Sequence, residues 1–255
     1  MIPKVIHYCW FGRNPLPELA LKCIESWKKY LPDYEIKEWN EDNFDVNIIP
    51  YTRDAYAAKK YAFVSDYARF WILYKYGGLY FDTDVEVIKP LDDIIAKGPF
   101  MGCENEYKPG TTSLGVAPGL GLGVNPGLGL GVNPGLGLYK KLLDLYEGLD
   151  YTYTAGNSDQ MKTIVSYTTE LLAANGLENK PGIQYVDGIY IYPSEYFCPI
   201  NVITNRLHIT NNTRTIHHYA ATWMDNSWKK RVKQFIRKFM PEAWLLKFNQ
   251  IKHEK

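Results

Sequence analysis

The chain has 255 residues, 46% of them hydrophobic and 22% charged, with a net charge of +1. That length and apolar content supply a substantial core without disulfides, which excludes a disulfide-stapled mini-domain. Cys9, Cys23, Cys103 and Cys198 form no C-x-x-C pair, which argues against a zinc site and for a reducing compartment.

In chain order, the apolar pattern predicts a strand over 5–10, a helix over 18–30 and a strand over 34–39. A single long helix over 57–76 follows, closed by Gly77-Gly78. Leu79-Tyr80-Phe81 reads as a buried strand, with a further strand near Phe100. After a Gly-rich stretch come helices over 139–145 and 159–174, then short strands over 189–192 and 215–219. Strands alternating with helices predict an α/β fold, a mainly parallel central sheet with flanking helices on both faces.

The chemistry is concentrated in Tyr80-Phe81-Asp82-Thr83-Asp84-Val85-Glu86. On a strand, residues two apart share a face, so Asp82 and Asp84 are expected to point the same way at the strand's end. Strand ends are where ligands of open α/β sheets sit. Paired hard oxygen donors there suit Mg²⁺ or Mn²⁺, with the other coordination positions left to substrate phosphates. A solvated acidic turn is the plain alternative. Upstream, Asp66 and Arg69 share a helix face, either as a surface ion pair or turned towards the same cleft.

Four ordered segments carry a resemblance. They are Ile2 to Gly12; Ala62-Phe63-Val64-Ser65-Asp66-Tyr67-Ala68-Arg69; Tyr76 to Asp84; and Thr215-Ile216-His217-His218-Tyr219-Ala220-Ala221-Thr222-Trp223. Together they resemble glycosyltransferase family 32. That group includes bacterial capsular and surface polysaccharide enzymes and yeast mannosyltransferases, and is related to clostridial glucosylating toxin domains. Ala221-Thr222 departs from the family's Gly-Ser before the final Trp. The resemblance implies a GT-A fold and metal-dependent, retaining transfer of a hexose from a nucleotide sugar. It implies Asp84 as principal metal ligand and Asp82 on metal, ribose or sugar. Asp66 and Arg69, with Ser65 nearby, would hold the donor sugar, so that Asp66, Arg69 and Asp84 form the catalytic set. Trp10 would stack on the nucleobase and Trp223 close over the diphosphate. His218, or failing that His217, would complete the metal shell. The departing phosphate can itself take the acceptor's proton, so no nucleophile is assigned. A UDP-hexose is the first expectation for the donor and GDP-mannose the alternative, with a glycan or lipid-linked acceptor in surface polysaccharide synthesis.

Two other classes compete. A dehalogenase-type phosphatase also uses D-x-D, but needs Thr or Val where this chain has Glu86. A non-catalytic sugar-nucleotide binder or scaffold would bind donor without turning it over.

Residues 115–138 are an eight-residue tandem repeat: Gly-Val-Ala-Pro-Gly-Leu-Gly-Leu, then two copies with Asn in place of Ala. No G-K-[ST] follows, so a phosphate-binding P-loop is not indicated. One copy is expected to serve the fold and the others to form an inserted surface loop.

The expected domains are a catalytic unit over 1–224 and a basic tail over 225–255. The tail holds nine Lys/Arg against three acidic residues, a charge of +6 that leaves −5 for the rest. Trp228, Val232, Phe235, Ile236 and Phe239 form one helical stripe opposite Lys229, Lys230, Lys233 and Arg237. That pattern fits either a docked C-terminal helix or a peripheral anchor on an anionic membrane surface. With no leader-like start and no apolar run of spanning length, the expectation is a cytoplasmic protein, peripheral on the inner membrane face. An acidic main body without basic patches interleaved with aromatics argues against nucleic acid. Under the anchor reading, deleting residues 229–255 abolishes co-sedimentation with anionic liposomes; unchanged binding rejects it.

Overall fold

The computed structural model describes residues 2–105, 107, 114–124, 135–151, 162–201 and 204–220. Trp223 and the basic tail lie outside them. Strands β1 (Val5–Cys9), β2 (Glu35–Trp39), β3 (Gly78–Tyr80), β5 (Phe100–Cys103), β6 (Val116–Ala117), β7 (Leu122–Val124), β8 (Gln184–Val186) and β9 (Ile189–Tyr192) form one sheet. Its order is β2-β1-β3-β7-β5-β9-β8, with β6 on β5. Pairings β1–β2, β1–β3 and β5–β9 are parallel. The parallel ladder expected from the sequence is divided by β7, which runs antiparallel to both β3 and β5. Because β7 reverses twice, β3 and β5 run the same way. The C-terminal ends of β1, β2, β3, β5 and β9 therefore share one edge, where ligands of such sheets bind.

Both sheet faces are covered. Cys9, Trp39, Tyr80, Met101, Val116 and Ile191 face a core shared with helices α2 (Pro50–Ala57), α3 (Tyr61–Tyr76), α5 (Gly137–Glu147) and α6 (Ile164–Ala174). Their alternate neighbours Tyr8, Leu79, Phe81, Phe100, Ala117 and Tyr192 face a second core with α1 (Glu18–Tyr30), α4 (Asp92–Ile95) and α7 (Ser194–Phe197). The period-two alternation assigns each strand residue to one core or the other. Strands β4 (Val85–Val87) and β10 (Thr215–His217) form a separate antiparallel pair beside α1, anchored by Trp27 Nε1, which donates to Val85 O at 2.7 Å.

The helix expected over 57–76 forms over Tyr61–Tyr76 as α3, with the separate helix α2 before it. Pro50 opens α2 at its first turn. Lys59 then adopts φ 57°, a left-handed conformation that cannot continue a helix. Helix α3 buries nearly every turn, including Phe63, Val64, Ala68, Phe70, Ile72 and Leu73, because sheet and helices enclose it. It ends at Gly77, φ 65°, whose N–H donates to Leu73 O. The chain then turns straight into β3, and a Cβ at Gly78 would stand 2.6 Å from Val5 O. Only glycine allows that approach of β3 to β1.

His7 locks this junction. It is 2% exposed. Trp39 Nε1 donates to its Nδ1 at 3.0 Å, so its Nε2–H donates to Gly77 O at 3.0 Å. Strand β1, the end of β2 and the α3–β3 turn are tied through one neutral imidazole. Burial lowers its pKa from 6.5 to about 4, against the opposing Gly77 hydrogen bond. With the folded value below the unfolded one, His7 stabilises the fold fully above pH 6.5, and that share is lost as pH falls towards 4. Between these limits the unfolding free energy should drop by on the order of 3 kcal/mol more in the native sequence than in His7→Gln. Urea titrations at the two pH values measure it, and parallel slopes for both proteins reject the role.

Candidate active site

Strand β3 stops at Tyr80, so Asp82 and Asp84 lie in the turn that links it to β4. Their orientation is set by that turn and by different partners, not by the strand alternation expected from the sequence. Asp82 meets Arg69: Nη2 is 3.2 Å from Oδ1, and Nη1 donates to Oδ2 at 3.3 Å. Tyr80 Oη also donates to Asp82 Oδ1 at 3.3 Å. Asp84 meets His217, Nε2 to Oδ1 at 3.2 Å, and accepts the Ala220 N–H on Oδ2 at 2.9 Å.

Helix α3 supplies the other half. Asp66 and Arg69 are both buried, and Arg69 Nη2 lies 3.1 Å from Asp66 Oδ1. The solvated ion pair that the sequence allowed is thus excluded, and Arg69 is shared between Asp66 and Asp82. Its Nε donates to Ser65 O at 3.1 Å and its guanidinium lies 5.0 Å from the Tyr80 ring centroid. Burial pushes the Asp66 carboxyl up to about 7, with Arg69 opposing and Asp82 adding to the shift. Burial alone would lower Arg69, but Asp82, Tyr80 and Asp66 hold it firmly protonated.

The β4–β10 pairing places the His pair. His217 stands opposite Val85, and its own neighbour's N–H, that of His218, donates to Asp84 O at 3.0 Å. Burial opposes charge on both His217 and Asp84, yet each favours the other's ionised form. Asp84 falls below its usual value and His217 rises to about 10. The expected metal ligand His218 instead engages Glu86, Nε2 to Oε2 at 2.8 Å. The two consecutive histidines thus engage different carboxylates, His217 Asp84 and His218 Glu86. The other expected residues stand further out. Ser65 Oγ bonds back to Tyr61 O at 3.1 Å, and half-buried Trp10, at the end of β1, donates from Nε1 to Asn14 O at 2.6 Å.

The Gly repeat enters the site. Val116-Ala117 in the first copy and Leu122 to Val124, which spans the first and second copies, are sheet strands, and the turn between them packs under the D-x-D. Gly119 O accepts the Asp82 N–H at 3.0 Å. A Cβ at Gly119 would overlap the Asp82 carboxylate and come within 2.9 Å of Arg69 Nη1. The Gly-rich pattern was the visible signal for this position; nothing in it marked Gly119 over its repeats. Most of the later copies lies outside the described residues.

Among the described residues, no cluster of three or more His, Cys, Asp or Glu is arranged to hold a metal ion. The donor chemistry nonetheless fits Mg²⁺ or Mn²⁺. Such ions are held by one or two carboxylates and complete their shell with water and substrate phosphate. Asp84 and Asp82 are the carboxylates that would hold it.

Residues 17–101 match the model of the glycosyltransferase sugar-binding region containing DXD motif. Over 98 residues the chain is 35% identical to inositol phosphoceramide mannosyltransferase 3 of Schizosaccharomyces pombe, covering 37% of this chain and 27% of that protein. Over 105 residues it is 30% identical to mannosyl phosphorylinositol ceramide synthase CSH1 of Saccharomyces cerevisiae, covering 40% and 28%. The match thus spans less than a third of either relative's length. Among solved structures, PaToxG glycosyltransferase is similar at TM-score 0.46 and 21% identity over 68% of this chain and 69% of its own. The galactosyltransferase LgtC is similar at TM-score 0.40 and 15% identity over 94% and 98%.

The steric argument gives a paired expectation. Gly119→Ala must displace Asp82 and Arg69 and should lower nucleotide-sugar turnover ~10²-fold. Deleting residues 131–138 should leave turnover largely intact, because the copies at 123–130 and 131–138 are identical and every described residue of the site has an equivalent in the shortened chain. A folded deletion protein without turnover, beside an active Gly119→Ala, reverses this assignment.

Proposed function

We propose that this protein is a metal-dependent glycosyltransferase that moves a hexose, with retention, from a nucleoside-diphosphate sugar to a glycan or lipid-linked acceptor. The observation that carries the reading is the convergence of Asp66, Arg69, Asp82, Asp84 and His217 at the C-terminal edge of the sheet, within a DXD glycosyltransferase segment.

Breaking a sugar–phosphate bond leaves negative charge on the diphosphate while the anomeric carbon becomes oxocarbenium-like. A divalent cation, when bound, neutralises the departing diphosphate. In this reading Asp84 and Asp82 hold it. His217 orients Asp84, and the Ala220 N–H fixes the second Asp84 oxygen. Arg69 is held between two carboxylates on a rigid helix, so the Asp66 and Asp82 oxygens are presented to sugar hydroxyls without reorganisation. In the same reading Trp10, at the end of β1, stacks on the nucleobase.

The names of the fungal relatives support a mannosyl donor, such as GDP-mannose, ahead of the UDP-hexose first expected from the sequence. They also support a lipid-linked acceptor. A role in bacterial surface polysaccharide synthesis, with the protein cytoplasmic and held at the inner membrane face by residues 225–255, completes the proposal.

The test is nucleoside diphosphate release from a panel of GDP- and UDP-sugars, with Mn²⁺, with Mg²⁺ and after EDTA. Release from one donor, lost with EDTA and restored by metal, is the expected result. Asp84→Ala should lower it at least ~10²-fold. Near-normal turnover by folded Asp84→Ala rejects the metal role, and calorimetric donor binding without any release favours the scaffold reading instead.

A further inference from the structure

We propose that Tyr219 is a positioning residue for the D-x-D centre: clamped to Cys198, it holds in place both groups that fix the Asp84 carboxylate. The inference rests on the metal-dependent reading above and concerns how its principal carboxylate is aimed. Asp84 Oδ1 lies 3.2 Å from His217 Nε2, and Oδ2 accepts the Ala220 N–H at 2.9 Å. Tyr219 touches the first of these groups with its ring and precedes the second in the chain. It acts through these neighbours rather than on metal or substrate.

The rings of Tyr219 and His217 pack with centroids 4.2 Å apart at an angle of 58°. An imidazole is ordinarily oriented by the hydrogen bond of its other nitrogen. Nδ1 of His217 is buried and has no such partner among the described residues. Cys198 stands near enough to favour the charged ring, but makes no aligned hydrogen bond to that nitrogen. Packing against Tyr219 therefore takes over the orienting part.

The backbone supplies the second hold. Tyr219 adopts φ 49°, a left-handed conformation that a bulky side chain rarely takes. Such a conformation persists only where the surroundings over-determine it. It stands between two donors to one residue: the His218 N–H bonds to Asp84 O at 3.0 Å, and the Ala220 N–H to Asp84 Oδ2. The left-handed residue takes the chain off the extended course of β10 between these donors, so that both reach Asp84.

Cys198 pins this turn. Its Sγ lies 2.9 Å from Tyr219 Oη, it is 3% exposed, and its N–H donates to Ser194 O at 2.7 Å at the end of α7. The residue before it, Phe197, accepts the Thr215 hydroxyl on its O at 2.9 Å. Two consecutive residues thus fasten β10 at its first position and just past its last. Phe197 is in turn stacked on Phe100 of β5, centroids 5.6 Å apart, so the supports of Asp84 are referred to the central sheet.

The experiment titrates Mn²⁺ calorimetrically into the full chain saturated with GDP or UDP, which gives stoichiometry and dissociation constant separately. Tyr219→Phe, which loses only the hydroxyl, should weaken Mn²⁺ binding ~10-fold. Cys198→Ala should do the same, and the double variant should be no weaker than either, because all three remove one contact. Cys198→Ser keeps a hydrogen-bonding group and should bind within about twofold of native. Tyr219→Val, whose branched side chain resists the left-handed turn, should bind more weakly than Tyr219→Asn, which tolerates it. Mn²⁺ affinity within about twofold of native in both Tyr219→Phe and Cys198→Ala overturns the proposal. So does a lowered stoichiometry at native affinity, the mark of a merely structural role. A native chain that binds Mn²⁺ with nucleotide but turns over no sugar donor removes the transferase reading and leaves the positioning of Asp84 standing; one that binds no Mn²⁺ with either nucleotide removes both.

Discussion

The guanidinium of Arg69 is the interaction on which the site depends. A buried cation is tolerated only when its charge and donors are met, and removing one partner of such a pair typically costs about 3–5 kcal/mol. Arg69 is met by two carboxylates from different parts of the chain, Asp66 one turn earlier on α3 and Asp82 at the end of β3. It therefore fixes the helix to the D-x-D turn. Gly119 completes the constraint from below, since only a residue without a side chain leaves Asp82 where Arg69 can reach it.

That constraint relies on the α3–β3 junction, which is where local sequence and tertiary structure agree most closely. Gly77 stops the helix, Gly78 lets β3 approach β1, and neutral His7 hydrogen-bonds the turn to Trp39 at the end of β2. Three parallel strands and one buried helix are thus held in register within a few residues of Asp82.

Much of this was legible in the sequence, for physical reasons. Helix 18–30 has the apolar spacing of a half-buried helix and forms over Glu18–Tyr30. Asp66 and Arg69 share a helix face as their three-residue spacing implies, and Asp82 and Asp84 follow an apolar run that forms β3. What was not legible depends on partners distant in the chain. The break at Lys59 is a single left-handed residue with no glycine to mark it. The choice between His217 and His218 is set by the register of β10 against β4, a contact across more than a hundred residues. The segment over 122–124 was not marked as strand, because alternating glycine and leucine carries little strand propensity. It becomes strand because β3 and β5 on either side of β7 supply the hydrogen bonds.

The charges of the edge bear on the cation as well. Asp66, Asp82, Asp84 and Glu86 gather there, answered among the described residues by Arg69, Lys22, His217 and His218. A diphosphate brought to this edge adds further negative charge beside carboxylates in a partly buried setting, where repulsion is screened far less than in water. Arg69 cannot offset it, because its fork is already occupied by Asp66 and Asp82. His217 is likewise engaged by Asp84. The acidic edge is therefore an unfavourable place for a nucleotide alone and a favourable one for a nucleotide carrying a divalent cation, so donor and metal are expected to enter together.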